Sequence, residues 1–154
     1  MSRVLFLHGL HGSPQGRKVQ LLRSAGHEVL APSLVKESIA PALSAAHESV
    51  QTFQPDVIVG SSRGGALALS LPRSASAQMV LIAPAWVLYS PQPHLKPGTV
   101  ILHSIHDAVI PFGESELLVK HFGASASVLR AVGVDHSMND PAAADALLNE
   151  VGMK

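Results

Sequence analysis

The stretch Gly60-Ser61-Ser62-Arg63-Gly64 fits the pattern G-x-S-x-G. In a chain with 12 Gly, about 0.1 such matches are expected by chance, so the pattern alone is weak. Its setting adds weight. The apolar run Asp56-Val-Ile-Val59 leads into it and an Ala/Leu-rich stretch to Leu71 follows, which is a strand–turn–helix context. Glycines two residues to either side remove the clashes that a sharp turn would create. The Ser62 hydroxyl would then stand at the sheet edge and at a helix N-terminus, where negative charge is favoured. Ser61 is the poorer nucleophile, because Val59 rather than glycine stands two residues before it. The plainer alternatives are a helix-capping serine and a phosphate-holding turn. Neither a Walker lysine nor a G-x-G-x-x-G spacing accompanies the turn, so nucleophilic attack by Ser62 is the better reading.

A serine hydroxyl needs a base at neutral pH. The chain has 9 His, so position must decide among them. His136, in Gly133-Val-Asp-His-Ser-Met138, is the histidine of the last strand-end loop. A solvated loop histidine is its plainer fate. An acid must orient the imidazole. Asp107 follows the fifth apolar run, and the order Ser62, Asp107, His136 suits a nucleophile elbow. A turn or cap carboxylate is the alternative for Asp107. Asp135 ranks second because neighbours on an extended loop point apart, and Asp56 lies at the wrong end of its strand. Backbone N–H groups of Leu10 and Arg63 are the expected oxyanion donors. Gly9 and Gly12 let the first loop approach a substrate closely.

These loops need elements to position them. Apolar runs Arg3–Leu7, His27–Ala31, Asp56–Val59, Gln78–Ala83, Thr99–His103 and Ser127–Val132 read as strands. Their unbroken apolar character suits a parallel sheet covered on both faces. Between them, Ser13-Pro14 is expected to cap and open a helix that Gly26 stops. Ile39, Leu43, Ala46, Val50 and Phe53 form one stripe of a second helix, which Pro55 ends. Asp140-Pro141 opens a closing helix. The alternation predicts a doubly wound α/β fold with a mainly parallel sheet of about six strands, helices on both faces and no cap insertion. Ligands of such sheets bind at the carboxyl ends of the strands. Trp86, Tyr89, Phe112 and Met138 lie in or near those loops and are expected to line an acyl pocket.

Composition excludes several classes. With 154 residues, one domain over 1–154 is expected. Eleven basic against 11 acidic side chains give zero formal charge, so no nucleic-acid footprint is expected. The absence of cysteine removes disulfides and thiolate zinc sites. No apolar run reaches the roughly 18–20 residues of a membrane span. Val4–Leu7 is too short for a signal-peptide core of about 7–15 residues. A cytoplasmic protein is expected, with a homodimer compatible but not demanded.

The stretches Leu7-His-Gly-Leu-His-Gly-Ser13, Gly60–Gly64, Asp107-Ala-Val-Ile-Pro111 and Asp135-His136 together resemble the α/β-hydrolase family, and within it the short, capless esterases of the YqiA type. The resemblance covers nearly the whole chain. It implies a Ser–His–Asp hydrolase of small carboxylic esters or thioesters, with no metal or organic cofactor and a small-molecule acyl substrate. Two features depart from the family pattern. The usual first strand pair is missing, and Arg63 stands where Leu, Met or Gln is common. Its side chain is expected either to attract an anionic substrate or to lie along a helix face. Two other readings compete. One is a non-catalytic binding protein on the same scaffold. The other is a metal site built from His8, His11, His103 and His106, which lack the i, i+4 helical pairing of metalloproteases.

Overall fold

A computed structural model describes residues 1–72, 76–90, 92–122 and 127–152. The strands are β1 (Arg3–Leu7), β2 (Glu28–Leu30), β3 (Val57–Ser61), β4 (Gln78–Ile82), β5 (Thr99–His103) and β6 (Ser127–Ala131). They form one 6-stranded sheet in the order β2-β1-β3-β4-β5-β6, and every pairing is parallel. The helices are α1 (Arg17–Ser24), α2 (Ile39–Phe53), α3 (Arg63–Leu69), α4 (Trp86–Tyr89), α5 (Phe112–Phe122) and α6 (Pro141–Gly152). Among the described residues no helix is long and apolar enough to cross a membrane.

Side-chain alternation along the strands divides the core in two. Leu5, Leu7, Ile58, Leu81 and Ile101 face a layer containing Ala42, Ala46, Leu67, Trp86 and Leu118, from α2, α3, α4 and α5. Val4, Phe6, Val59, Val80 and Leu102 face Val19, Leu22, Leu147 and Val151, from α1 and α6. Both sheet faces are therefore covered, which is why the strands carry unbroken apolar runs. The chain moves outward from β1 to β2 and then returns to place β3 on the other side of β1. The β1 and β3 carboxyl ends thus flank the point where strand order reverses, the usual ligand crevice of such sheets.

The sequence pattern locates α2 and β5 with the bounds observed. It misplaces the start of α1, which begins at Arg17 after Gly16 rather than at Pro14. The Ser13 hydroxyl accepts the Gln15 N–H at 3.2 Å and its carbonyl accepts the Gly16 N–H at 3.2 Å. Ser13 therefore closes a local turn instead of capping the helix. Gly26 does stop α1, in a left-handed conformation at φ +94°. Two helices fall where the pattern assigns none. The short α4 lies in the proline-rich loop after β4. The longer α5 starts just past Pro111, with Glu114 in its first turn and Lys120 and His121 in its last, charges that complement the helix dipole.

Candidate active site

The turn from β3 into α3 holds Ser62 at φ +56°, ψ −114°. Such a backbone costs on the order of 1–3 kcal/mol and persists only when its surroundings over-determine it. Here they do. The Ser62 N–H donates to Ile82 O at 2.8 Å, and its carbonyl accepts the N–H groups of Ala85 at 3.0 Å and Gly65 at 3.0 Å. Adjacent packing is tight enough to dictate residue type. A Cβ on Gly64 would be driven into the Leu7 carbonyl group, while one on Gly9 would come within 3.2 Å of the Ser62 Cβ. The elbow therefore presses on the β1 end, and this contact brings the first loop to the serine.

Asp107 and His136 reach Ser62 from the far half of the chain. The β5 and β6 ends are tied together by the Val132 N–H to His103 O at 3.1 Å and the Ser104 hydroxyl to Gly133 O at 2.9 Å. His136 Nδ1 lies 2.7 Å from Asp107 Oδ2, and His136 Nε2 lies 3.1 Å from Ser62 Oγ. A carboxylate only accepts, so Nδ1 carries the proton and Nε2 offers its lone pair to the serine hydroxyl. The Asp107 side chain is 0% exposed. Its Oδ1 accepts the N–H groups of Val109 and Ile110, both at 2.8 Å. Burial alone would raise its pKa. The hydrogen bonds from His136, Ile110 and Val109, with the charge of His136, outweigh burial and hold the carboxyl below its ordinary 3.8.

A fourth side chain completes this chain of contacts. His103, at the end of β5 and 0% exposed, places Nε2 3.1 Å from Asp107 Oδ2 and 3.0 Å from Ile110 O. Both partners accept, so Nε2 is protonated and Nδ1 is left to accept the Ser115 hydroxyl at 2.7 Å. Sequence reasoning missed this role and set His103 among candidate metal ligands. His8 is similarly engaged, its Nε2 accepting the Leu34 N–H at 3.1 Å and its Nδ1 facing Gly9 O at 2.7 Å. Neither histidine keeps a lone pair for a metal. Among the described residues no group of three or more His, Cys, Asp or Glu could hold one. Asp135 accepts the Met138 N–H at 3.1 Å and Asp56 accepts the Arg3 N–H at 2.8 Å, so both rejected acids serve the backbone.

Ser62 and His136 open onto a cavity of about 530 Å³, which Leu10, Arg63, Tyr89, Val109 and Ile110 also line. Of the four expected pocket residues, only Tyr89 lies there. Trp86 is buried in the core, donates its indole N–H to Glu114 O at 2.7 Å, and meets Phe122 edge-on at 5.7 Å. Phe112 packs its ring against His103 at 5.4 Å, and Met138 is buried beneath α6. Arg63 is 2% exposed and does not run along an open helix face. Its Nη2 donates to Val35 O at 2.7 Å and Ser38 O at 3.1 Å, pinning the segment before α2.

Lys18 is a second residue that sequence reasoning overlooked. From α1 it reaches the His136 loop, where its ammonium donates to Ser137 O and, at 3.0 Å, to Asn139 Oδ1. Burial lowers its pKa to about 8, opposed by Asp135 and Asp140 and assisted by Arg17. A lysine one position before the buried Val19 of a helix whose N-terminus faces the strand ends was the available signal.

A six-stranded parallel sheet covered on both faces, with a strained serine at the turn after β3, has the α/β-hydrolase fold. Over residues 3–97 the chain matches the family described as an uncharacterised protein family, UPF0227, and it belongs to that family. No curated protein matches the sequence. Among solved structures, a candidate hydrolase of the alpha/beta superfamily from Xanthomonas campestris pv. campestris is 20% identical, with a TM-score of 0.78 over 99% of this chain and 98% of that one. A candidate hydrolase from Agrobacterium vitis S4 is 22% identical, with a TM-score of 0.77 over 98% of this chain and 87% of that one. Est1E from Butyrivibrio proteoclasticus is 15% identical, with a TM-score of 0.76 over 98% and 85%. At these identities the likeness is one of fold.

Proposed function

We propose that the protein is a serine hydrolase of carboxylic esters or thioesters. The reading rests on one observation: a single imidazole within hydrogen-bond reach of both the Ser62 hydroxyl and the Asp107 carboxylate. Ser62 Oγ attacks the substrate carbonyl carbon as its proton passes to His136 Nε2. The imidazolium is stabilised through Nδ1–H by Asp107, whose depressed pKa keeps it ionised. Negative charge on the carbonyl oxygen is met by the N–H groups of Leu10 and Arg63, and each such donor is worth about 10²–10³ in turnover. His136 then gives its proton to the leaving alkoxide or thiolate. A water molecule, deprotonated by the same nitrogen, hydrolyses the acyl-enzyme and frees Ser62. Leu88, Tyr89, Val109 and Ile110 supply an apolar wall for the acyl chain.

A fluorophosphonate probe is expected to label the protein, with peptide mapping placing the adduct on Ser62. Ser62→Ala should abolish both labelling and hydrolysis of 4-nitrophenyl butyrate. Undiminished hydrolysis by that variant would refute the assignment.

A further inference from the structure

Overall charge is balanced at 11 basic and 11 acidic side chains, yet the cavity beside Ser62 is not. Arg17, Lys18 and Arg63 line it, and among the described residues no Asp or Glu does. The imbalance has a direction. Arg17 and Lys18 belong to α1, which packs on one face of the sheet, whereas the apolar Leu88 and Tyr89 come from α4 on the other. Arg63 belongs to the serine turn, but its guanidinium runs to the α4 side, where it donates to Val35 O and Ser38 O ahead of α2 and lies over the Tyr89 ring at 5.8 Å. Its Nη1 is buried and has no hydrogen-bond partner among the described residues, so one guanidinium nitrogen is held out of water with its donors unused. Two carboxylates, Asp135 and Asp140, act on the Lys18 charge from outside the cavity wall. Asp135 accepts Met138 N–H, and Asp140 accepts the N–H groups of Val134 and Ala143. Neither lines the cavity.

We propose that this cavity selects acyl substrates carrying an anionic group, a carboxylate or a phosphate, directed toward the α1 side of the scissile bond. The inference rests on the hydrolase reading above and narrows its substrate class. Arg17 is exposed and contributes attraction that salt screens, while the half-buried Lys18 is screened less. Cations alone define the charge that fits. The source of that charge follows from which anion the walls accommodate.

Two matched pairs test it: mono-4-nitrophenyl glutarate against 4-nitrophenyl pentanoate, and butyryl-coenzyme A against the butyryl thioester of N-acetylcysteamine. At low salt, kcat/KM should favour the anionic member of at least one pair by about tenfold, the factor expected of a single charge-assisted contact. A glutarate preference assigns a carboxylate and a coenzyme A preference a phosphate. Arg17→Gln should lower that ratio by about threefold or more, and raising salt to about 0.5 M should lower it further in the wild type. Lys18→Met is read through the same ratio, because Lys18 also holds the His136 loop. Calorimetric binding of the same four compounds to Ser62→Ala separates the two claims. Tighter binding of the anionic members without any wild-type turnover sustains the anion site and overturns the hydrolase reading. Equal binding and equal kcat/KM within both pairs overturn the anion site, whatever the rate of hydrolysis.

Discussion

The β3–α3 turn and the loop after β5 each deliver one polar side chain to the same imidazole, that of His136, and they do it by opposite means. At the turn, position is set by the backbone. Ser62 is fixed at positive φ by hydrogen bonds to Ile82, Gly65 and Ala85, and Gly64 lies where any Cβ would strike Leu7. At the loop, position is set by side-chain hydrogen bonding. Asp107 accepts from His103, His136, Val109 and Ile110, in a setting where its side chain meets no solvent. A backbone device tolerates little change in shape, whereas a hydrogen-bonded device tolerates little change in charge or donor identity. The first should fail as loss of fold and the second as loss of function.

Three substitutions probe that contrast. Asp107→Asn keeps the shape but presents an amide to His136, so the imidazole tautomer is no longer enforced. Hydrolysis should fall by about 10³–10⁴ in kcat with the fold intact by circular dichroism. The same variant carries a pH signature. A carboxyl whose folded pKa lies below its unfolded value adds stability above that unfolded value, here near 3.8, and loses it as pH falls through the folded one. Wild-type stability to urea should therefore drop between pH 5 and about pH 3 more steeply than that of Asp107→Asn. A parallel drop in both would show the carboxylate to be uncoupled from folding.

Gly64→Ala tests the other device. The added methyl would meet backbone rather than a movable side chain, so the expected loss exceeds about 3 kcal/mol, at or beyond the upper end for overpacking. Thermal unfolding measures it, and an unchanged midpoint would remove the steric argument for the elbow. The smallest effect is expected from Ser62→Gly. Glycine adopts positive φ without the side-chain clash, so this variant should be inactive yet more stable by about 1 kcal/mol in urea titration. Lower stability would mean that the serine backbone is not strained.

Local chemistry accounts for what is legible in the sequence alone. The stripe Ile39, Leu43, Ala46, Val50 and Phe53 locates α2, and the unbroken apolar run of Arg3–Leu7 locates β1, because each pattern repeats at its element's own period. Ser62 is legible for the same reason, since glycine spacing and a preceding strand are neighbours in sequence. The start of α1 is not, because Ser13 can cap a helix or close a turn, and only the packing of Val19 and Leu22 onto the sheet decides where the helix begins. Trp86, Phe112 and Met138 have the composition of a pocket. Phe122 and the α6 layer, supplied by other elements, draw Trp86 and Met138 into the core, while Phe112 stays half-buried with its ring against His103.

By itself the amino-acid order determined the strands and the serine turn, features written within a few residues of one another, and set Ser62, Asp107 and His136 in that order after β3, β5 and β6. Which histidine supports the carboxylate, where the Arg63 guanidinium is buried and which cations share a cavity wall were decided only by tertiary structure. Those outcomes depend on distances between segments far apart in the chain, and such distances exist only once the sheet has brought the strand ends to one edge.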